Sequence, residues 1–207
     1  MKGLFEIDGA VYKYMMKIYS LIVLNIMFIL CAIPIVTIGS SITALYDVSQ
    51  KMIDHRDTKI ARNFFDSFRK NFKQGTKIWL GFIGLWGVLF FIASASGGAN
   101  VIMLPLILIA VLSIFTLIYA FGIISKFDNT TGNTIRNAFV LSITNIPYSI
   151  IMLTFAGVLI VFVPIYLTKL SILSIFLTFS VVGYVQSMIM SKVFKGILAE
   201  GDDDEES

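Results

Sequence analysis

Residues that could perform chemistry are few in this chain. Its one histidine is His55 and its one cysteine is Cys31, so the sequence lacks the ligands of a multi-histidine or cysteine-based metal centre. It contains no GxxxxGK[ST] phosphate loop, no GxSxG nucleophile elbow and no HExxH pair. We therefore predict no catalytic residue, no cofactor site and no metal site, and we interpret the protein as a non-enzyme.

Three polar residues lie inside or beside apolar stretches, and we take them as intramembrane polar candidates: Asp47, Asn25 and Asn145. Ion-coupled transporters carry ionisable side chains inside the helical bundle, and Asp47 is the one acidic candidate here. Lys51 follows four residues later, which favours a helical ion pair over a buried anchor or substrate contact. For Asn25 and Asn145 we predict interhelical hydrogen bonds.

The segment 59–74 has the pattern of an amphipathic helix. Apolar residues recur every four positions, at Ile60, Phe64, Phe68 and Phe72. Phe65 widens this stripe, and cations occupy the other faces, as is typical of a helix lying in a membrane interface. Two interpretations stay open: a linker helix resting on the membrane, or a partner-docking surface made of Phe64, Phe65, Phe68, Phe72, Arg62 and Arg69.

The amino-acid composition indicates whether the chain folds in water or in a membrane. The 207 residues are 57% hydrophobic and 14% charged, with a mean hydropathy of +0.87, whereas soluble domains carry about 25% charged residues. This excludes a water-soluble globule and indicates one transmembrane helical domain over residues 1–199. Acidic residues crowd the segment 200–207, for which we predict a disordered tail.

Five apolar runs without Asp, Glu, Lys or Arg predict membrane-spanning helices: 18–37, 78–96, 101–125, 141–164 and 172–190. A further segment, 40–56, is helical in pattern but short and polar. If it returns through the membrane after a turn at Gly39–Ser41, every cation except Lys169 lies inside, which the positive-inside rule favours. The predicted fold is therefore an all-α polytopic transmembrane bundle of six helices (alternatively five), with a cytosolic interfacial helix and both termini cytoplasmic.

Two predicted cytosolic loops share a short motif ahead of a span. The first contains Arg62-Asn63-Phe64-Phe65, and the loop 126–140 contains Arg136-Asn137-Ala138-Phe139. Parallel repeats are common in membrane folds. A match this short is compatible with an internal duplication or with chance.

The order of several segments resembles that of a known family. These segments are Met1–Phe5, Ile38–Tyr46, Asn63–Phe72 and Ile135–Phe139, followed by Asn145-Ile146-Pro147. The chain resembles the YesL family of small bacterial membrane proteins of unknown function, although that family usually has proline in the turn read at Gly39–Ser41. YesL proteins look like companions of carbohydrate ABC importers and of two-component sensors. The resemblance implies a role in sugar uptake or its regulation, in the bacterial cell membrane.

Two functions from different classes remain in view. The first is an accessory protein that contacts an ABC importer permease or a sensor histidine kinase, with the lipid bilayer as its other partner. The alternative is a small self-sufficient transporter or channel for a neutral solute. We expect no nucleic-acid partner and no cofactor for either.

Overall fold

The computed structural model of the chain describes residues 10–54, 59–97, 100–166 and 171–205. All regular structure in these ranges is helical, which confirms the all-α prediction. The α-helices are α1 (Ala10–Ala32), α2 (Ile38–Ile53), α3 (Ile60–Ala95), α4 (Asn100–Lys126), α5 (Thr131–Thr144), α6 (Ile146–Gly157), α7 (Val163–Tyr166) and α8 (Ser171–Glu205). A 3-10 turn, Ile35–Thr37, precedes α2, and a π turn, Val158–Phe162, joins α6 to α7.

Five stretches of helix among the described residues are long and apolar enough to cross a membrane: Val11–Ala32, Ile60–Ala95, Val101–Lys126, Ile146–Ile165 and Leu177–Gly196. The protein is therefore a multi-pass membrane protein. The helix α2, with 16 residues, is not among the five. The sixth span, which only the distribution of cations favours, stays a prediction.

The turn between α1 and α2 lies earlier than predicted. It occupies Ile33–Thr37, whereas Gly39–Ser41 lie inside α2, so the prediction of the turn was wrong. Pro34 has no N–H to continue α1, and the Thr37 hydroxyl donates to the Cys31 carbonyl at 2.6 Å. One carbonyl at the end of α1 thus has a hydrogen-bond donor before α2 begins.

The short helix α2 is the most enclosed element. Nine of its sixteen residues are buried, and it packs against α1, α3, α4 and α8. A Cβ atom on Gly39 would overlap the carbonyl oxygen of Gly75 in α3, so the two backbones touch there. Ser40 Oγ lies 3.0 Å from the Phe72 carbonyl and 2.9 Å from Thr76 Oγ1. Small residues that let backbones approach closely are a common means of helix association in membranes.

The amphipathic segment 59–74 is the first half of a continuous 36-residue helix, α3. Its buried side includes Ile60, Phe64, Ser67, Asn71 and Gly75. At 1.5 Å per residue the helix is about 54 Å long, which exceeds the ~30 Å hydrocarbon core of a bilayer. The amphipathic half is thus backed by protein on its inner side, and its placement in a membrane interface stays a prediction.

We predicted a loop over 126–140 and a span from 141. In the structure most of that loop is helical, and the boundary between the two helices lies at Asn145. Residues 131–144 form α5, whose N-cap Thr130 accepts a hydrogen bond from the Asn133 N–H at 3.5 Å. The backbone leaves the helical region at Asn145 (φ −112°, ψ 42°), and Pro147 sits in the first turn of α6. Proline is favoured at that place because its missing N–H has no helical partner there.

The last helix also differs from its prediction. A disordered acidic tail was predicted over 200–207, whereas the structure continues α8 to Glu205. Residues 190–205 contain no proline, and Ala199 and Glu200 are good helix formers, so the helix continues although Gly201 lies within it.

We expect Gly39→Ala to destabilise the protein by about 1–3 kcal/mol, the usual cost of overpacking, because the new methyl group would overlap the α3 backbone. Thermal unfolding of purified protein in detergent measures the effect. The control is Gly84→Ala, since a Cβ there meets nothing within 4 Å. Equal melting temperatures for the two variants would contradict the proposed backbone contact.

The exposed turn permits a test of five spans against six. In a Cys31→Ser background we expect Ile33→Cys, a position 71% exposed, to react with an external membrane-impermeant maleimide, because the six-span arrangement puts this turn outside. Ser40→Cys is the control, since position 40 is fully buried and must stay unlabelled. Labelling of Ile33→Cys from the cytosolic side alone would instead support five spans.

Candidate functional site

Three phenylalanine rings of the predicted docking surface form a ladder along α3. The centroids of Phe64 and Phe68 are 6.3 Å apart, and those of Phe68 and Phe72 are 5.5 Å apart. Their exposure differs: Phe64 is fully buried, Phe72 is 38% exposed, and Phe65 beside the ladder is 41% exposed. The predicted surface therefore divides into an inner and an outer part.

Phe64 belongs to the protein core, so its prediction as a docking residue was wrong. It packs in a cluster with Leu24 of α1 and with Ala44 and Val48 of α2. The sequence analysis described the segment of α2 as short and polar and did not place it against Phe64, but the small side chains on one face of α2 leave room for the ring. Phe68 is partly buried against the same cluster.

The outer part keeps two aromatic rings among cations. Phe65, Phe72, Arg62, Arg69 and Lys73 are all exposed. Arg62 Nε lies 3.7 Å from an Asp66 carboxylate oxygen, an exposed contact of the kind that contributes about 0–1 kcal/mol. Within the described ranges, Arg69 and Lys73 have no ion-pair partner, so the face is positively charged. We call Phe65, Phe72, Arg62, Arg69 and Lys73 the outer face of α3.

The intramembrane polar candidates have three different environments. Asp47 Oδ2 accepts from Lys51 Nζ at 2.8 Å, which is the ion pair favoured from the sequence. Asn25 is fully buried, and its Oδ1 accepts from the Ser180 backbone N–H at 3.0 Å, so it links α1 to α8 as predicted. Asn145 Nδ2 donates at 3.3 Å to the Leu141 carbonyl of its own segment. It is a helix-end residue, and no hydrogen bond from its side chain to another helix is found in the described ranges, contrary to prediction.

Sequence reasoning missed a buried polar network where α2, α6 and α8 meet. The Tyr46 hydroxyl donates to Gln186 Oε1 at 2.5 Å, and Gln186 Nε2 donates to the Met152 carbonyl at 3.2 Å. Ser187 Oγ donates to the Tyr46 carbonyl at 3.4 Å. A sequence signal for this network was available, because the amide residue Gln186 lies inside the apolar run 172–190. All of these groups are uncharged, so the network orients helices and can bind neutral hydroxyls, but it has no group that ionises readily near neutral pH.

Two buried hydroxyls in the described part of the chain have no hydrogen-bond partner: Tyr119 Oη and Ser49 Oγ. Tyr119 of α4 packs in the same apolar cluster as Tyr46. The Ser149 hydroxyl donates instead to the carbonyls of Ser142 at 2.9 Å and Asn145 at 3.1 Å. An unmade buried hydrogen bond costs about 1–3 kcal/mol, so these hydroxyls are unfavourable in the structure as it stands.

No group of three or more His, Cys, Asp or Glu residues that could hold a metal occurs in the described ranges. His55 and Lys169, which the sequence analysis considered, lie outside them.

We expect Tyr46→Phe to lower the free energy of unfolding by about 1–3 kcal/mol, because Gln186 Oε1 would lose its donor while staying buried. The matched variant Tyr119→Phe removes a hydroxyl without a partner and should leave the stability equal or higher. Thermal unfolding in detergent compares the two. A larger loss for Tyr119→Phe than for Tyr46→Phe would contradict this assignment of hydrogen bonds.

Comparison with known proteins gives one match. No curated protein and no solved structure matches the chain. Residues 21–91 match the family DUF624, described as a protein of unknown function. The matched segment covers the second half of α1, all of α2 and most of α3, which are the elements joined around Gly39 and Phe64. This match over residues 21–91 confirms the resemblance to the YesL proteins.

Proposed function

We propose that the protein is a non-enzymatic accessory protein that binds another membrane protein through the outer face of α3. One observation carries the proposal: Phe65 and Phe72 remain 41% and 38% exposed on the amphipathic half of a helix whose inner side is packed against α2. Aromatic residues and arginine are enriched in protein interfaces and among the residues that dominate their energy.

Contacts within the protein order the outer face of α3 in the absence of a partner. Ser40 of α2 is hydrogen-bonded to the Phe72 carbonyl, and the Phe72 ring contacts that of Phe68, which is itself partly buried. A surface that is already ordered loses less conformational entropy on binding. The charge of Arg69 and Lys73 favours a partner surface that is apolar with acidic residues around it.

The class of partner follows from the resemblance. Since YesL proteins look like companions of carbohydrate ABC importers and of two-component sensors, we propose an importer permease or a sensor histidine kinase. The distribution of cations supports a bacterial cell membrane location with the outer face of α3 on the cytoplasmic side.

We expect Phe65→Ala/Phe72→Ala to reduce co-purification of the permease or kinase from native membranes at least about tenfold, since truncating an interface aromatic commonly costs more than 1 kcal/mol. Quantitative mass spectrometry of the purified complex measures the loss. The control is Phe90→Ala/Phe91→Ala, which changes two rings 75% and 74% exposed in the apolar half of the same helix. Equal recovery of the partner with both double variants would overturn the proposal.

A second candidate is passage of a neutral solute. The buried network of Tyr46 and Gln186, together with the unpartnered Tyr119 hydroxyl, supplies uncharged hydrogen-bonding groups of the kind that a sugar hydroxyl would need. Purified protein in proteoliposomes separates the two functions. Sugar uptake by the protein alone, reduced by Tyr46→Phe, would support the transporter and contradict the accessory role.

A further inference from the structure

A pocket lies where α4 ends and α5 begins. It has a volume of about 480 Å³, and its walls come from α4, α5, α8 and the connection between α4 and α5. The residues used below are Ile123, Phe127, Arg136, Asn137, Val140 and Phe194. The pocket lies between the end of the candidate span Val101–Lys126 and the start of the next, Ile146–Ile165. This position corresponds to a membrane surface.

The polar side of the pocket carries an uncompensated positive charge. Arg136 and Asn137 line it, and within the described residues neither side chain has a hydrogen-bond or ion-pair partner. No acidic residue lines the pocket. The nearby carboxylate of Asp128 is 2.9 Å from Lys70 Nζ, so that acid already has its own cation.

The second copy of the R-N-x-F motif differs from the first in this respect. Arg62 has Asp66 four residues later, with Nε and the carboxylate 3.7 Å apart. The residue four positions after Arg136 is Val140. The first arginine therefore has an acidic neighbour one turn later, whereas the second has an apolar one and no ion-pair partner within the described residues.

Most of the remaining lining of the pocket forms an apolar and aromatic wall. The rings of Phe127 and Phe194 meet edge to face with their centroids 5.5 Å apart. Lys126 Nζ lies 5.8 Å and 5.4 Å from the two centroids, which adds a second cation beside the pocket. Ile123 and Val140 complete this wall.

The apolar wall continues along the outside of α5. Phe139, Val140 and Ile143 are 46%, 53% and 41% exposed, so a chain that leaves the pocket along α5 meets apolar side chains. An occupant that matches both sides has an anionic head and a hydrocarbon tail. Basic pockets at the ends of transmembrane helices are suited to the head groups of anionic lipids.

We propose that this pocket binds an anionic phospholipid, with its phosphate on Arg136 and Asn137 and an acyl chain along Phe127, Val140 and Phe194. Arginine forms charge-assisted hydrogen bonds with phosphate oxygens, and the asparagine amide adds a donor. A free phosphate ion would use only the polar side. The apolar wall and the membrane-level position therefore assign the site to a lipid.

The test is native mass spectrometry of the full chain in detergent with added phosphatidylglycerol or phosphatidylcholine. We expect the protein to retain phosphatidylglycerol in preference to phosphatidylcholine, and Arg136→Gln to weaken that retention by roughly tenfold, as the loss of one charge-assisted contact would. Arg62→Gln is the matched control, since it removes the same charge from the other copy of the motif, and it should retain the lipid fully.

A second variant tests the apolar wall. Val140→Trp should lower lipid retention by crowding that wall while leaving Arg136 in place, and inorganic phosphate should not displace the lipid. Four outcomes would overturn the proposal: equal retention of both lipids, equal losses for Arg136→Gln and Arg62→Gln, displacement by inorganic phosphate, or a dimer mass lost with Arg136→Gln. The last two would assign the pocket to free phosphate or to a second copy of the chain.

Discussion

The backbone contact between α2 and α3 is the constraint on which the rest of the described structure depends. Gly39 and Gly75 allow the two helices to touch, and Ser40 adds hydrogen bonds to the Phe72 carbonyl and to Thr76. Inside a membrane the hydrophobic effect does not drive helices together, so close packing and interhelical hydrogen bonds do. A helix as short and polar as α2 is kept inside the bundle by these contacts.

Several other features follow from the enclosed position of α2. Its Ala44 and Val48 cover Phe64, which fixes the inner side of the amphipathic half of α3 and leaves Phe65 and Phe72 outside. Its Tyr46 reaches Gln186 on α8, and its Gln50 donates to Ser125 Oγ of α4 at 3.2 Å. A short and partly polar helix therefore connects the first, central and last helices.

The sequence predicted the elements better than their contacts. Long apolar runs identify helices because a lipid environment requires every backbone polar group to be bonded within the segment. That argument holds for the five candidate spans, but it says nothing about which faces meet. The burial of Phe64 depends on the small side chains of α2, and the role of Asn145 depends on Pro147 two residues later. The Tyr46–Gln186 hydrogen bond joins residues 140 positions apart, and no local pattern predicts such a contact.

The two copies of the R-N-x-F motif lead into mechanically different connections. In α3 the helix runs from Ile60 to Ala95 without interruption, so its amphipathic half and its apolar half share one continuous helical backbone. Between α5 and α6 the backbone turns at Asn145, and Pro147 cannot donate the hydrogen bond that would join the two helices. The Ser149 hydroxyl donates to the Ser142 carbonyl across that junction at 2.9 Å, so a side chain bridges the interrupted backbone. The first arginine therefore lies on one unbroken helix, and the second lies on a helix that a side-chain hydrogen bond ties to the next.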